Sequence, residues 1–433
     1  MIILVVIGLI TLVPALTIYQ SGLSSTKGPS GRTSSSDSAE ASSAASSMQV
    51  SSATVSPVLT LSGIIPLAMT QGRIDHMAVD VQRGLLYVAA LGNDSVGIVD
   101  LHSRMLTKSI AGLSAPQGVI FDRDNGKLYL SSGGDGTLHV FDSGNLTLLE
   151  KISFPGGDAD NMRLDASNKS LYVGYGSGGI AKVDTGTDKV VKEFPLPSHP
   201  EAFELQASAQ IIFVNVPTAN IIEAINSSSG VPISNYTLPA NTANFPMALD
   251  SVDGRLFVAT RSPAQLMVFD TATPSLRSVA NLTISGDPDD IFFDSARGLV
   301  YVSCGEGALE VVRQPDPNHY SRAQTITTAP GARTSLFVPE LDSIFVAVPS
   351  SNGQPAEIMV YSVNAAISTS STSSGSTAPV LTSTSFSVTP ASGTSGLVVT
   401  ISGSGYVPGV LGHFTQMRAT NRHTVYAWLS RLP

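Results

Sequence analysis

RIDHMAVDVQRGLLYVAALGNDSVGIVDL, residues 73–101, contains the pattern that decides the fold. Residues 76–80 form one short apolar run, residues 85–91 form a second, and residues 95–101 form a third in which apolar and polar residues alternate. A Gly-Asn-Asp hairpin signal separates the second and third runs, and a more polar fourth run follows at 105–111. Runs of this length, bounded by turn residues, predict four short antiparallel strands.

The same pattern occurs seven times along the chain. Its central aromatic residue recurs at intervals of 41 to 44 residues, inside an apolar run each time. The seven aromatic residues are Tyr87, Tyr129, Tyr172, Phe213, Phe257, Tyr301 and Phe345. A repeat of this length with four strands per unit predicts an all-β fold, the seven-bladed β-propeller, in which neighbouring blades bury each other's faces.

The seventh repeat lacks a fourth strand, and this gap predicts how the ring closes. Its strand-like runs lie at 335–339, 343–349 and 357–363, after which the sequence becomes rich in Ser and Thr. Residues 58–66, ahead of the first repeat, match the fourth strand of the other units. We therefore predict that this N-terminal strand completes the seventh blade beside 357–363, because ring closure removes the free sheet ends.

Segments of different composition flank the predicted propeller, residues 57–363. Residues 1–20 are almost wholly apolar and uncharged, which predicts a hydrophobic helix that acts as a signal-anchor or a cleaved signal peptide. Residues 21–56 and 364–381 are rich in Ser, Thr, Ala and Gly and predict disordered linkers. Residues 382–433 open with a P-x-S-G-x-x-G motif and a strand that resemble the start of an IPT/TIG-type immunoglobulin-like domain, here as a truncated remnant.

Composition adds a predicted location and excludes several classes of protein. The apolar residues 1–19 and six N-x-S/T sequons predict an extracytoplasmic protein, membrane-anchored through that segment or secreted. The net charge of −9 argues against a nucleic-acid partner. The single cysteine, Cys304, excludes an intramolecular disulfide framework, and the absence of a C-x-x-C-H motif excludes covalently bound haem.

The repeats also resemble a known family. Stretches such as RIDHMAVD (73–80), DADNMRLD (158–165), HPEAFEL (199–205) and DPDDIFFD (287–294) are similar to those of YVTN-type seven-bladed propellers. Proteins of that family are exported by bacteria and archaea and are grouped by fold with quinoprotein dehydrogenases and cytochrome-d1-type propellers. The resemblance implies the fold but no particular reaction. Separately, the predicted membrane anchor, the Ser/Thr-rich linkers and the immunoglobulin-like remnant resemble those of archaeal surface proteins.

The loops that lead into the innermost strands, called the inner loops here, carry the candidate ligand-binding residues. In a propeller these loops converge at the mouth of the central channel, and nearly every repeat offers a different polar group there. A repeat kept only for packing would not need this variety. The candidates are Arg73, Asp75, His76, Gln117, Asp158, Asp160, Asn161, Arg163, His199, Glu201, Asn244, Asp287, Asp289, Asp290 and Arg333.

The charged candidates could have one of two roles. The side chains could pair with one another around a water-filled channel and have no ligand. Alternatively, Arg73, Arg163 and Arg333 could bind a carboxylate or phosphate bidentately. In that case Arg333 contributes most, and replacing Arg333 or His76 with Ala abolishes binding while leaving the fold nearly intact.

A third use is metal binding, and it widens the range of functions. His76, His199 and Glu201 could ligate a divalent metal, although the sequence does not identify a cofactor. The main hypothesis is a binding or interaction module whose partner is a small molecule, an anion or a cell-surface protein. The alternatives are a propeller enzyme, either a metal-dependent lactonase-like hydrolase or a quinoprotein-like redox enzyme, and a structural component of the cell envelope.

Overall fold

The computed structural model describes residues 57–364 and the backbone of two short strands, Phe386–Thr389 and Thr400–Gly403, which pair antiparallel with each other. The predicted N-terminal helix and linker, within 1–56, lie outside the described residues. So do the C-terminal linker and most of the predicted immunoglobulin-like remnant. In the part of the chain that is described, no helix has the length and apolar character needed to cross a membrane.

The described chain forms seven four-stranded antiparallel sheets, each of which is one propeller blade. The chain enters the ring with β1 (Leu59–Pro66). Blade 1 consists of β2 (Met77–Asp80), β3 (Leu85–Ala90), β4 (Ser95–Asp100) and β5 (Met105–Ala111). Blade 2 consists of β6 (Pro116–Asp122), β7 (Lys127–Ser132), β8 (Thr137–Asp142) and β9 (Leu148–Ser153). Blade 3 consists of β10 (Met162–Asp165), β11 (Ser170–Tyr175), β12 (Gly179–Asp184) and β13 (Lys189–Pro195).

The remaining blades repeat this order. Blade 4 consists of β14 (Phe203–Gln206), β15 (Ile211–Val216), β16 (Ile221–Asn226) and β17 (Pro232–Thr237). Blade 5 consists of β18 (Asn244–Asp250), β19 (Arg255–Arg261), β20 (Ala264–Asp270) and β21 (Arg277–Thr283). Blade 6 consists of β22 (Pro288–Asp294), β23 (Leu299–Cys304), β24 (Ala308–Asp316) and β25 (His319–Thr327). Blade 7 consists of β26 (Thr334–Val338), β27 (Ser343–Val348), β28 (Glu357–Val363) and β1.

Helix is confined, among the described residues, to single 3₁₀ turns between strands. They lie at Leu91–Asn93, Ala166–Asn168, Ala207–Ala209, Pro217–Ala219 and Pro339–Leu341. The second strand of each blade is buried on both faces, as in β3, whereas the outermost strand is largely exposed, as in β5. The predicted all-β, seven-bladed architecture is confirmed.

The core consists of seven hydrophobic clusters, one between each pair of neighbouring blades. The repeated aromatic residue belongs to these clusters and is buried in every blade; Tyr87 and Phe213, for example, are fully buried. Burying one such side chain contributes about 1.5–3 kcal/mol. A blade has no core of its own, so its stability depends on both neighbours.

The strand β1 closes the ring. It pairs antiparallel with β28, from Leu59 opposite Val363 to Pro66 opposite Glu357, which confirms the predicted pairing. Leu59 lies in the cluster between blades 6 and 7, and Ile65 lies in the cluster between blades 7 and 1. The same short strand therefore packs against both neighbours of the seventh blade.

One position in the third strand of each blade varies widely in size and charge between the repeats. It lies opposite the residue that directly follows the repeated aromatic on the second strand, as Glu223 lies opposite Val214 and Glu310 opposite Val302. The seven residues at this position are Gly97, His139, Ala181, Glu223, Met267, Glu310 and Met359. Two of them are therefore carboxylates inserted between blades.

Candidate functional site

A cavity of about 460 Å³ is lined by residues from all seven blades, which places it on the axis of the ring. Its lower wall is apolar and includes the partly exposed side chains of Ile120, Leu164 and Leu249. Its upper wall is formed by the inner loops. The predicted candidates that line it are Arg73, Asp75, His76, Asp160, Asn161, Arg163, Glu201, Asp289 and Asp290.

The other six candidates do not line this cavity: Gln117, Asp158, His199, Asn244, Asp287 and Arg333. Gln117 Nε2 donates to Asp158 Oδ1 at 3.0 Å, and His199 Nδ1 donates to the Gly176 carbonyl oxygen at 2.7 Å. The first contact ties blade 2 to the inner loop of blade 3, and the second ties the inner loop of blade 4 to the turn between β11 and β12 of blade 3. Their side chains hold the rim together and do not line the wall.

Asn244 has a structural role. It is fully buried, and its Nδ2 donates to Asn215 Oδ1 at 2.9 Å and to the Ile221 carbonyl oxygen at 3.0 Å. Asn215 in turn donates to the carbonyl oxygen of Phe245 at 3.0 Å. This chain of amides fixes blade 5 against blade 4. Asn215 is the fifth of six residues of the otherwise apolar strand β15 and does not belong to an inner loop.

One side of the mouth is a cluster of arginines and aspartates. Asp287 lies 3.0 Å from Arg333 and 3.0 Å from Arg261. Asp289 forms an ion pair with Arg261 and lies 3.8 Å from Arg333 and 3.9 Å from Arg73. The arginines predicted to bind an anion are therefore already paired with carboxylates of the protein.

Arg261 is the important residue that the sequence search missed. It is the last residue of β19, and its guanidinium lies over the Phe245 ring, 3.7 Å from the centroid. Arg261 ends a second strand and does not belong to an inner loop, so the repeat phase of the inner loops does not identify it. In the sequence it stands out as a charged residue at the end of the apolar run RLFVATR (255–261).

Arg163 and His76 are also paired within the protein. Arg163 Nε lies 3.1 Å from Glu204 Oε1, and the guanidinium lies over the Phe203 ring. His76 Nδ1 lies 3.4 Å from Asp290 Oδ1. Both bases thus have an acidic partner from another blade: Glu204 lies in blade 4, next to blade 3, and Asp290 lies in blade 6, beyond blade 7.

The opposite side of the mouth is different, because its polar groups lack such partners. Asp160 and Asn161 are 8% and 7% exposed, and their side chains make no hydrogen bond to any other described residue. The nearest base to Asp160 is His199, with Nε2 at 4.0 Å. Glu201 has no basic group within 4.0 Å among the described residues, and it also lines the cavity.

Crowding and burial shift several pKa values at the mouth. Burial and the charge of Asp160 raise the pKa of Glu201 to about 8, against the opposing effect of His199. Burial raises the pKa of Asp289 to about 7, although Arg261 opposes the shift. Burial lowers the pKa of His76, but the Asp290 carboxylate outweighs it and raises that pKa to about 10. Glu201 and Asp289 can therefore both gain or lose a proton near neutral pH.

The geometry does not assemble the possible metal site. Within residues 57–364, no group of three or more His, Cys, Asp or Glu side chains is placed to hold one metal ion. His76 faces Asp290, while His199 is held by Gly176 on another loop. The set His76, His199 and Glu201 is thus not brought together.

Comparisons with known proteins support the fold. No protein-family model matches the chain. The chain is 25% identical over 186 residues to the U3 small nucleolar RNA-associated protein 18 homolog of Arabidopsis thaliana, covering 41% of this chain and 34% of that protein. It is also similar to a chain in the crystal structure of the mitotic checkpoint complex, with a TM-score of 0.60 and 12% identity, over 71% of this chain and 92% of that chain. These likenesses show a WD40-like, seven-bladed β-propeller.

The predicted extracytoplasmic location is contradicted by these comparisons. One matched protein is named for a nucleolar RNA and the other belongs to a mitotic checkpoint complex, which point to WD40-like proteins inside the cell. The prediction of a membrane-anchored or secreted protein is therefore wrong. It rested on the apolar residues 1–19, but an apolar run without a basic flank is not a sufficient export signal.

Proposed function

We propose that the propeller is an interaction module whose ligand-binding site is the polar mouth of its central channel. One observation carries this proposal: Asp160 and Asn161 are more than nine-tenths buried, line the cavity and have no hydrogen-bond partner among the described residues. Their polar atoms open onto the cavity, where a ligand can reach them. Each hydrogen bond to such a ligand contributes about 0.5–1.5 kcal/mol net, and more where one of the groups is charged.

The surrounding scaffold suits such a role. Each inner loop leads into a strand that is clamped between two neighbouring blades, so the polar groups are presented by rigid elements. One matched protein is named as small nucleolar RNA-associated and the other belongs to a mitotic checkpoint complex, which supports a propeller that works within assemblies. The finer assignment to the YVTN type rests on the repeat motifs and stays a prediction.

A propeller enzyme is the second candidate function, and one observation favours it. Glu201 and Asp289 line the same cavity and have pKa values of about 8 and 7, which suit a general acid and a general base at neutral pH. Turnover of a chromogenic ester or lactone that is lost in both Glu201→Gln and Asp289→Asn would establish this activity. Equal rates in parent and variants would eliminate it for those substrates.

The binding function is tested by thermal stabilisation with a panel of small amines, carboxylates, phosphates and amino acids. A ligand present at 100 times its Kd stabilises the folded state by about 2.7 kcal/mol. We expect at least one class to raise the melting temperature of the parent, and Asn161→Leu, which removes the amide at similar volume, to abolish the shift. Asn145→Leu, an exposed change on an outer turn, is the control, and the ligand should raise its melting temperature as it does that of the parent.

Three results would contradict the proposal. One is a panel in which no class raises the melting temperature of the parent protein. Another is a ligand whose stabilising effect is unchanged in Asn161→Leu, because that ligand would bind elsewhere. A loss of the effect in both Asn161→Leu and Asn145→Leu would also count against the cavity as the site.

A further inference from the structure

The charges at the channel mouth are unevenly matched. On the blade 6 side, three guanidinium groups each have a carboxylate partner: Asp287 lies 3.0 Å from both Arg261 and Arg333, and Asp75 lies 2.9 Å from Arg73. An anionic ligand would have to displace a carboxylate from each arginine that it approached. Since those ion pairs are already formed and partly buried, this side offers little to an anion.

On the blade 3 and blade 4 side, carboxylates outnumber the cations that contact them. Asp158 and Asp160 share one imidazole, since His199 Nδ1 lies 3.6 Å from Asp158 Oδ2 and its Nε2 lies 4.0 Å from Asp160 Oδ2. Glu201 has no basic group within 4.0 Å in the described chain. The Asn161 side chain lines the cavity beside them without a partner, and its amide oxygen can accept another hydrogen bond.

From this asymmetry we infer that the ligand at the channel mouth carries an ammonium or guanidinium group. Asp160 and Glu201 bind this group, and one of its N–H groups donates a hydrogen bond to the amide oxygen of Asn161. This inference rests on the proposed binding function and specifies the chemistry of its ligand. Asp160 supplies the opposite charge, and a cation bound beside Glu201 favours the ionised form of that carboxyl group. The amide supplies a third acceptor, which matches the three N–H donors of a primary ammonium. Ile120, Leu164 and Leu249 below the polar groups can receive an aliphatic stem.

Such a cation has two sources, a free amine or a basic side chain of a partner protein. Titration calorimetry on the full chain with cadaverine and with a short peptide that carries a single lysine separates them. Pentanol and the same peptide with norleucine for lysine are the uncharged controls. We expect one or both cationic probes to bind and both neutral probes to fail.

Variants connect the binding to the carboxylates. Asp160→Asn should weaken binding of the cationic probe at least about tenfold, since a charge-assisted hydrogen bond is lost. Its side chain makes no hydrogen bond to another described residue, so the fold should survive; Glu201→Gln is the second variant. Asp124→Asn, at an exposed turn on the far end of blade 2, makes the same charge change and should bind like the parent.

The outcomes separate this inference from the proposed function. Binding of cadaverine alone supports a small-molecule amine, and binding of the lysine peptide alone supports a protein side chain. If citrate or inorganic phosphate binds and both cationic probes fail, the cation inference is overturned while a ligand site at the mouth stands. If Asp160→Asn and Glu201→Gln both bind the cationic probe as well as Asp124→Asn does, these carboxylates do not hold it and the inference is wrong.

Discussion

Ile65→Ala is expected to destabilise the propeller by about 2–5 kcal/mol, the usual cost of truncating a buried isoleucine to alanine. Ile65 is 1% exposed and packs between blades 7 and 1, at the seam where the ring is joined. Its neighbour Ile64 is 45% exposed on the same strand, so Ile64→Ala is a matched control that should change stability by less than about 0.5 kcal/mol. Urea denaturation of the full chain measures both.

The seam makes this loss more damaging than an equal loss elsewhere. A weakened β1 leaves the edge of β28 unpaired and opens one blade interface, which exposes sheet edge and apolar surface together. We therefore also expect faster protease cleavage of Ile65→Ala than of Ile64→Ala. Equal stability of the two variants would mean that β1 does not hold the ring closed.

Glu223→Met is expected to stabilise the protein by about 1–3 kcal/mol at pH 8, because it removes a buried carboxyl group that lacks a partner. Glu223 is 7% exposed, and its Oε2 has no hydrogen-bond partner in the described chain. Methionine already occupies the same position in blades 5 and 7, as Met267 and Met359, so the side chain fits this site of the repeat.

Glu310 occupies the equivalent position in blade 6, and replacing it with methionine is expected to have the opposite effect on stability. Its carboxylate accepts from Ser285 Oγ at 2.8 Å and from Thr325 Oγ1 at 2.7 Å, and it lies 3.1 Å from Arg322 Nε. Glu310→Met should therefore destabilise by about 1–3 kcal/mol. Changes of the same sign in Glu223→Met and Glu310→Met would show that hydrogen-bond partners do not decide the effect.

The gain from Glu223→Met should also depend on pH. Burial raises the pKa of Glu223 above its ordinary value. Below the unfolded-state pKa of about 4.3, both states hold the proton and the carboxyl costs least. As the pH rises, the unfolded state releases its proton first, so the parent loses stability until the folded-state pKa is passed. The difference in melting temperature between variant and parent should therefore be larger at pH 8 than at pH 4.

Repeat phase explains which parts of the molecule were predictable. Tyr87 and its six equivalents give the number of blades, and the missing fourth strand after 357–363 identifies the pairing partner of residues 58–66. Both features can be recognised along the sequence without knowing which side chains meet in space. Phase also identified Asp160, Asn161 and Glu201 as inner-loop residues, since positions of equal phase come to equal height in a ring.

Side-chain pairing was not predictable in the same way. Arg333 was expected to be the main anion-binding group, but Asp287 of the adjacent blade holds it outside the cavity wall. Arg261 reaches the same cluster from the end of a second strand, out of phase with the inner loops. Such contacts depend on where two side chains meet across a blade interface, and the repeat pattern of one chain does not contain that information.

The pairing of Leu59 with Val363 has a consequence for the order of events in synthesis. The strand that begins the ring is made first, yet its hydrogen-bonding partner is made some 300 residues later. During translation β1 must therefore remain unpaired while six blades emerge and stack. A contact of such long range makes folding slow. The final step should be the capture of this early strand by β28, so refolding should show a late phase that Ile65→Ala slows and that changes in the middle blades do not.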